Sequence, residues 1–328
     1  MHSISSIRPI ARIVLCALSL ALSSAAYSQA AAFPTKAVRW VVPFPAGGAT
    51  DVIARLVAQQ LTSLWGQAVV VDNKPGATGS IGSQIVAKSA PDGYTLLMGT
   101  ASTHSVAPAV NPGLPYKLAE FSPVTLVATF PNMLVVHPSV PAKTVAELIA
   151  LLKANPGKYN FASSGTGGSV HLAGELFKMM TDTRMTHVPY KGSSQALTDL
   201  LSGQVQIEFD NMSTVWPHVQ EGRLRALGVA SLTRTPIAPD VPAIAEAVPG
   251  FEANSWVGTF GPAAMVPALS NKIAQDIKTA VFHPEVVRKL RDLGATASAT
   301  TPEGFLDFVR KDMERWSKVA KTANVKLD

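Results

Sequence analysis

One pattern occurs twice in this chain, and it limits the possible folds more than any other feature. An apolar run at 38–44 leads into Pro45-Ala46-Gly47-Gly48-Ala49-Thr50-Asp51 and on to Ile53-Ala54-Arg55-Leu56-Val57-Ala58. A second run at 159–163 leads into Ser164-Gly165-Thr166-Gly167-Gly168-Ser169 and on to His171-Leu172-Ala173-Gly174-Glu175-Leu176-Phe177. Each copy reads as a short strand, a Gly-Gly loop and an amphipathic helix, with Thr50 or Ser169 in the capping position. Gly48 and Gly168 are expected at positive φ, where a β-branched side chain fits badly. The first N–H groups of a helix have no partner inside it, and the helix dipole favours negative charge there, so each loop is a plausible anion cradle. Two cradles on related halves suggest one anionic ligand gripped from both sides.

The repeat extends beyond the loops. The first copy continues with a strand at 68–72, a helix at 80–88 and a strand at 94–99; the second continues with a strand at 185–189, a helix at 195–201 and a strand at 205–209. Both halves are therefore β-α-β-α-β, with strands apolar enough for a buried parallel sheet. Strands at 125–129 and 133–136 carry the chain into the second half, and one at 256–261 brings it back. Thr144 with Glu147 forms a capping box for a helix ending at Pro156-Gly157. Another strand lies at 224–231. Helices at 267–280, 284–293 and 302–320 are expected to pack on the first domain. The reading is an α/β protein of two lobes, each a mainly parallel sheet flanked by helices. Residues 33–131 plus 256–328 form the first lobe and residues 132–255 the second, with a hinge at the crossing strands. A single doubly wound sheet is the alternative. Ligands in such sheets sit at the carboxyl ends of strands, where the halves place Thr100-Ala101-Ser102-Thr103-His104 and Asp210-Asn211-Met212-Ser213.

The N-terminus stands apart. Arg8 and Arg12 precede an apolar run at 13–22, followed by Ser28-Gln29-Ala30 and Ala30-Ala31-Ala32. That is a signal peptide cut near Ala30 or Ala32, so residues 1–32 are removed and the protein is expected in the periplasm. The run is shorter than the roughly 20 residues a membrane span needs. The single cysteine, Cys16, lies inside this segment, which leaves the mature chain without disulfides, a thiolate nucleophile or a thiolate metal site. Stability must then come from the core, and 328 residues with 47% hydrophobic content can bury a large one. The charge of +6 falls to +4 when Arg8 and Arg12 leave. The basic residues are scattered, with no basic-aromatic stripe of a nucleic-acid face.

Several motifs together resemble the Bug family, the TctC-like periplasmic substrate-binding components of tripartite tricarboxylate transporters. They are Val41-Val42-Pro43-Phe44 with Gly47-Gly48 and Asp51; Val70-Val71-Asp72-Asn73-Lys74-Pro75-Gly76; Pro91-Asp92-Gly93-Tyr94-Thr95-Leu96-Leu97; Ser163-Ser164-Gly165 with His171-Leu172-Ala173-Gly174-Glu175; and Val188-Pro189-Tyr190-Lys191-Gly192. Pro239-Asp240-Val241-Pro242 and Pro249-Gly250-Phe251-Glu252 complete the set. The resemblance implies a type II-like Venus flytrap that closes on a small carboxylate, often through ordered waters, and delivers it to membrane permease subunits. It also implies a pincer of the two Gly-rich loops on one carboxylate. The chain departs from the family where an Asn-Pro commonly follows the Thr-His step: His104 is followed by Ser105-Val106-Ala107-Pro108.

The candidate ligand-binding set is Phe44, Ala46, Gly47, Gly48, Thr50, Asp51, Thr100, Ser102, His104, Ser163, Ser164, Gly165, Thr166, Gly168, Ser169 and Asp210. Phe44 either stacks under the ligand or ends a strand in the core. Asp51 would repel an anion, so its expected work is to orient loop amides or water. His171 occupies the matching place in the second repeat and reads as a packing residue. His104 is a pocket candidate, and Asp210 either sets specificity or caps the next helix. Ser163, Ser164, His171 and Asp51 supply the residue types of an acyl-transfer triad, but no Gly-x-Ser-x-Gly elbow surrounds either serine. No dinucleotide fingerprint, Gly-Lys-Ser/Thr loop or metal-ligand spacing is present. The expectation is a monomeric binding protein with no catalytic residues, metal or cofactor; an exported receptor that signals is the alternative, ahead of a hydrolase.

Overall fold

The structure, a computed structural model, describes residues 33–322. The expected signal peptide lies outside the described residues. Strand β1 (Val38–Val42) buries Val38, Trp40 and Val42 in one cluster and Val41 in another on the opposite face, as a strand covered on both sides must. It pairs in parallel with β2 (Val69–Asn73) and β3 (Thr95–Thr100). Helix α1 (Ala49–Trp65) presents Ile53, Ala54, Val57, Ala58 and Leu61 to the same core at helical spacing. Each fully buried side chain of leucine size contributes about 1.5–3 kcal/mol. Gly66 ends α1 in the left-handed conformation, its N–H bonded to the Thr62 carbonyl. Helix α2 (Ser80–Ala87) follows β2, and a π-helical turn at Ser102–Val106 runs into the short helix α3 (Ala107–Val110) after β3.

The second half repeats this plan. Strand β5 (Asn160–Ser163) pairs in parallel with β6 (Thr186–Pro189) and β7 (Ile207–Asn211). Helix α5 (Ser169–Thr181) lies so close to β5 that a Cβ at Gly174 would meet the Phe161 ring at 2.4 Å. Before it, α4 (Val145–Ala154) starts as expected, with the Glu147 N–H donating to Thr144 Oγ1 at 3.1 Å. Glu147 in turn accepts from the Lys143 N–H, one residue before the cap.

The expected strands at 125–129 and 133–136 are one element. Strand β4 (Phe121–Val136) crosses from lobe to lobe without a break, with two register shifts against β9 (Asn254–Pro262), the first beside Pro123. The first half reads β2-β1-β3-β9-β4, and the second reads β6-β5-β7-β4 with β8 (Arg225–Val229) on the far side of β4. Each half thus has three parallel strands, in the order outer, first, third, followed by an antiparallel crossing strand. Because β4 belongs to both, the halves are hydrogen-bonded through it, and two lobes describe the cores better than one doubly wound sheet. Helix α6 (Ser193–Leu201) and helix α7 (Met212–Gln220), which carries Pro217, cover the second lobe; Asn211, not Asp210, takes the cap position of α7.

Helices α8 (Pro267–Val281) and α9 (Pro284–Asp292) pack on the first core through Ile273, Ile277, Val286 and Leu290. The two-residue strand β10 (Thr296–Ala297) pairs with β4. Helix α10 (Pro302–Thr322) departs from the expectation that it packs on the first domain. Phe305 and Val309 sit in a first-lobe cluster, whereas Trp316 and Ala320 sit in the second-lobe core. The helix is about 30 Å long, enough to span both lobes behind the crossing strands. Among the described residues no helix is long and apolar enough to cross a membrane.

Candidate functional site

The carboxyl ends of β1, β3, β5 and β7 face one another across the cleft between the lobes. The small cavity there, with about 460 Å³ of free space when its open mouth is included, is lined by Phe44, Gly48, Thr50, Thr100, Ser102, Ser164 and Ser169 from the expected set. Little of that space is wide enough for a water, because the lobes touch. Ser102 Oγ lies 3.0 Å from Ser169 Oγ and accepts from the Ser169 N–H at 2.9 Å. The Thr78 hydroxyl donates to the Thr166 carbonyl at 3.0 Å, and that of Ser194 to the Ala46 carbonyl at 3.3 Å. Five chain segments from the two lobes therefore meet at this cleft.

Both Gly-Gly loops differ in one respect from the sequence expectation. The N-cap positions belong to Gly48 (φ −78°, ψ 166°) and Gly168 (φ −86°, ψ 168°), not to Thr50 and Ser169. The left-handed residues are their neighbours Gly47 (φ +84°) and Gly167 (φ +71°), with Gly165 at φ +141°. The helices begin one or two residues earlier than expected because an extended glycine with no side chain lets the preceding left-handed glycine turn the chain sharply. Thr50 and Ser169 then lie inside the first turn and face the cleft. The Val52 N–H bonds the Gly48 carbonyl, so the N–H groups of Ala49, Thr50 and Asp51 precede the first intrahelical bond. In the second loop the Leu172 N–H bonds the Gly168 carbonyl, and of the three preceding N–H groups Ser102 takes that of Ser169.

Asp51 does not turn its carboxylate to the cavity. Its Oδ2 accepts from the Gly47 N–H and Arg55 Nε, each at 3.0 Å, and its Oδ1 accepts from Asn73 Nδ2 at 2.9 Å. Burial alone would raise its pKa; the hydrogen bonds from Arg55, Gly47 and Asn73 outweigh that and hold it below the usual range. His171 does the same work in the second loop, where the Gly167 N–H donates to its Nδ1 at 3.0 Å. Its ring stacks on His187 at 3.9 Å, and His187 Nε2 lies 2.6 Å from Ser163 Oγ. Burial, helped by the neighbouring His171, pushes the His187 pKa down to about 3.

His104 is a core residue rather than a wall of the cleft. It is fully buried, stacked on Phe260 at 4.1 Å and edge-on to Phe121, with Nδ1 2.8 Å from Thr103 Oγ1. Burial pushes its pKa down to about 3, so it stays neutral. The π-helical turn after β3 rotates it inward and leaves Ser102 facing the cleft. Ala46, Gly47, Ser163, Gly165, Thr166 and Gly168 shape the loops without lining the cavity, and Asp210 is buried behind its wall. The sequence reading missed Ala49, Phe130, Val170, Ser193, Asn211, Ser255 and Trp256, which do line it. Phe130, Ser255 and Trp256 come from the crossing strands, and nothing near them in sequence marks them. Trp256 is held by its Nε1–H, which donates to Asp312 Oδ2 of α10 at 2.8 Å. Among the described residues no group of three or more His, Cys, Asp or Glu side chains is placed to hold a metal ion.

Two lobes joined through shared strands, with a cleft built from paired helix starts, define the class of periplasmic binding proteins. Residues 53–325 match the tripartite tricarboxylate transporter family receptor, and the chain belongs to that family. It is 38% identical to protein BugT of Bordetella pertussis over 306 residues, covering 92% of this chain and 94% of that protein. It is similar to Rpa4515 of R. palustris, solved with adipate, at 37% identity and a TM-score of 0.87, covering 90% of this chain and 99% of that one. MatC of Rhodopseudomonas palustris, solved with bound malate, is 32% identical with a TM-score of 0.84, covering 88% and 99%.

Proposed function

We propose that this chain, exported to the periplasm, captures a small carboxylate in the cleft and delivers it to the membrane permease subunits of a tripartite carrier. The carrying observation is the meeting of two helix starts, one per lobe, around a single cavity with lobe-to-lobe hydrogen bonds at its rim. The first-turn N–H groups of Ala49 and Thr50 in one lobe and of Val170 in the other are the carboxylate donors, and the hydroxyls of Thr50, Thr100, Ser164 and Ser169 complete the shell. Phe44, Phe130 and Trp256 supply its apolar walls. Lobes of residues 33–131 plus 256–328 and 132–255 turn about β4 and β9, and the monomer is the working unit. The ligand adds contacts to the second lobe only on closure, which is the differential interaction that shifts the population. The adipate and malate of the two similar structures support a carboxylate, and the role is binding without turnover.

A thermal-shift screen of small acids tests this. A ligand at 100 times its Kd stabilises the fold by about 2.7 kcal/mol. The bound acid, recovered after incubation, should be unchanged. A panel of mono- and dicarboxylates that leaves the melting temperature unmoved at millimolar concentration would refute the reading.

A further inference from the structure

Two carboxylates behind the cleft wall have no part in that reading. Glu208 and Asp210 stand two residues apart on β7, so both project from one face of the strand, and neither is exposed. Asp210 Oδ1 accepts from the Ser193 hydroxyl at 3.0 Å and from the Asn211 N–H at 2.7 Å. Asp210 Oδ2 and both Glu208 carboxylate oxygens are buried without a hydrogen-bond partner. Burial raises the pKa of both, Asp210 to about 7, and the charge on Asp210 raises Glu208 further. A proton on this pair resides on Glu208 or on Asp210 Oδ2, because Oδ1 already accepts twice.

Ser193 and Asn211, the two residues that Asp210 holds, both line the cavity. A serine hydroxyl has one proton, and that of Ser193 points at Asp210, so only lone pairs remain for a ligand. At Ser193 this wall accepts hydrogen bonds, whereas the helix starts donate them.

We propose that Asp210 is a positioning residue that holds Ser193 as an acceptor, so that the cleft selects carboxylates that also carry a hydrogen-bond donor, such as a hydroxyl. The proposal rests on the carboxylate reading above and narrows its substrate class. Desolvating an acceptor without giving it a donor is costly, which penalises ligands that lack one, and a second carboxylate placed there would be repelled as well.

Calorimetry with two matched sets tests it: succinate against malate, and hexanoate or adipate against 6-hydroxyhexanoate. The hydroxyl-bearing acid of each set should bind about 3- to 10-fold more tightly than its partners. Ser193→Ala should bring the malate-to-succinate ratio close to one. Asp210→Ala frees the Ser193 proton to donate and should bring it to one or below. Ser193→Thr and Asp210→Asn, which keep the hydroxyl and the accepting oxygen, should retain the ratio. A selectivity is the readout because a purely structural role would weaken every acid by the same factor. Wild-type protein that binds succinate and adipate as tightly as their hydroxyl partners overturns the proposal, as does Ser193→Ala weakening all five acids equally. If none of the five binds, the carboxylate reading itself fails and this one falls with it.

Discussion

The two Gly-Gly loops share a backbone plan and differ in the side chain that holds it. In each, a left-handed glycine precedes an extended one, and its N–H is pinned by the side chain four residues on. In the first lobe that side chain is Asp51, itself held by Arg55 and Asn73. In the second it is His171, stacked on His187 and 3.5 Å from Glu175 through its Nε2. An acceptor at this position is what the loop geometry requires; its charge is free to vary. The loops also differ in crowding. A Cβ at Gly48 would meet only the Pro45 carbonyl at 3.8 Å, while one at Gly168 would stand 3.4 Å from Ser102 Oγ and Thr78 Cγ2 across the cleft. At the extended glycine, therefore, only the second loop presses on its partner lobe, while the first meets that lobe through Ala46.

The comparison breaks most sharply at the left-handed glycines. Gly47→Val and Gly167→Val each force a β-branched residue to φ near +80°, a strain of about 1–3 kcal/mol that the loop must carry or relieve by moving. Each should weaken binding at least about tenfold in calorimetry, with a cooperative melt retained. If the two differ greatly, the loops do not work as a pair.

Next come the pins. Asp51→Ala leaves the Gly47 N–H without an acceptor and Arg55 without its ion pair, while His171→Ala leaves the Gly167 N–H and removes the longer contact to Glu175. Denaturant unfolding should show a loss of about 1–3 kcal/mol for Asp51→Ala and a smaller one for His171→Ala. The reverse order would mean that the imidazole stack, not the loop, dominates in the second lobe.

Acid sharpens the contrast between the buried histidines. His104 and His187 are protonated in the unfolded chain below about pH 6.5 but in the folded one only near pH 3. The unfolded state binds more protons over that window, so stability falls as pH drops through it, by up to about 1.4 kcal/mol per pH unit for each histidine. His104→Phe, placed among Tyr116, Phe121 and Phe260, should give a shallower fall of melting temperature between pH 6.5 and 4. An unchanged slope would show that His104 protonates without unfolding.

The clasp and the extended glycines have the smallest effects. Ser102→Ala removes the acceptor for the Ser169 N–H and should weaken ligand binding about 2- to 10-fold by disfavouring closure. Gly168→Ala should cost affinity, while Gly48→Ala should be nearly neutral; equal effects would deny that Gly168 is the more crowded of the two positions.

Sequence periodicity alone determined the repeated β-α-β-α-β plan, the Gly-Gly loops and their convergence at strand ends, because strand and helix spacing and glycine placement are local signals. The Thr144 cap and the loop-orienting work of Asp51 were legible for the same reason, although Glu147 takes the Lys143 N–H where a capping box would take that of Thr144. Only the tertiary structure decided that Gly48 and Gly168 hold the cap positions, since one residue of helix phase depends on how the loop is pinned. It also decided that the turn after β3 buries His104 among aromatic rings and leaves Ser102 at the cleft. Phe130, Ser255 and Trp256 enter the site because β4 and β9 cross beneath it, far in sequence from either loop. The acceptor character of Ser193 belongs to this second group, for a serine's proton is assigned by its neighbours, and Asp210 meets it only once β7 and α6 have packed.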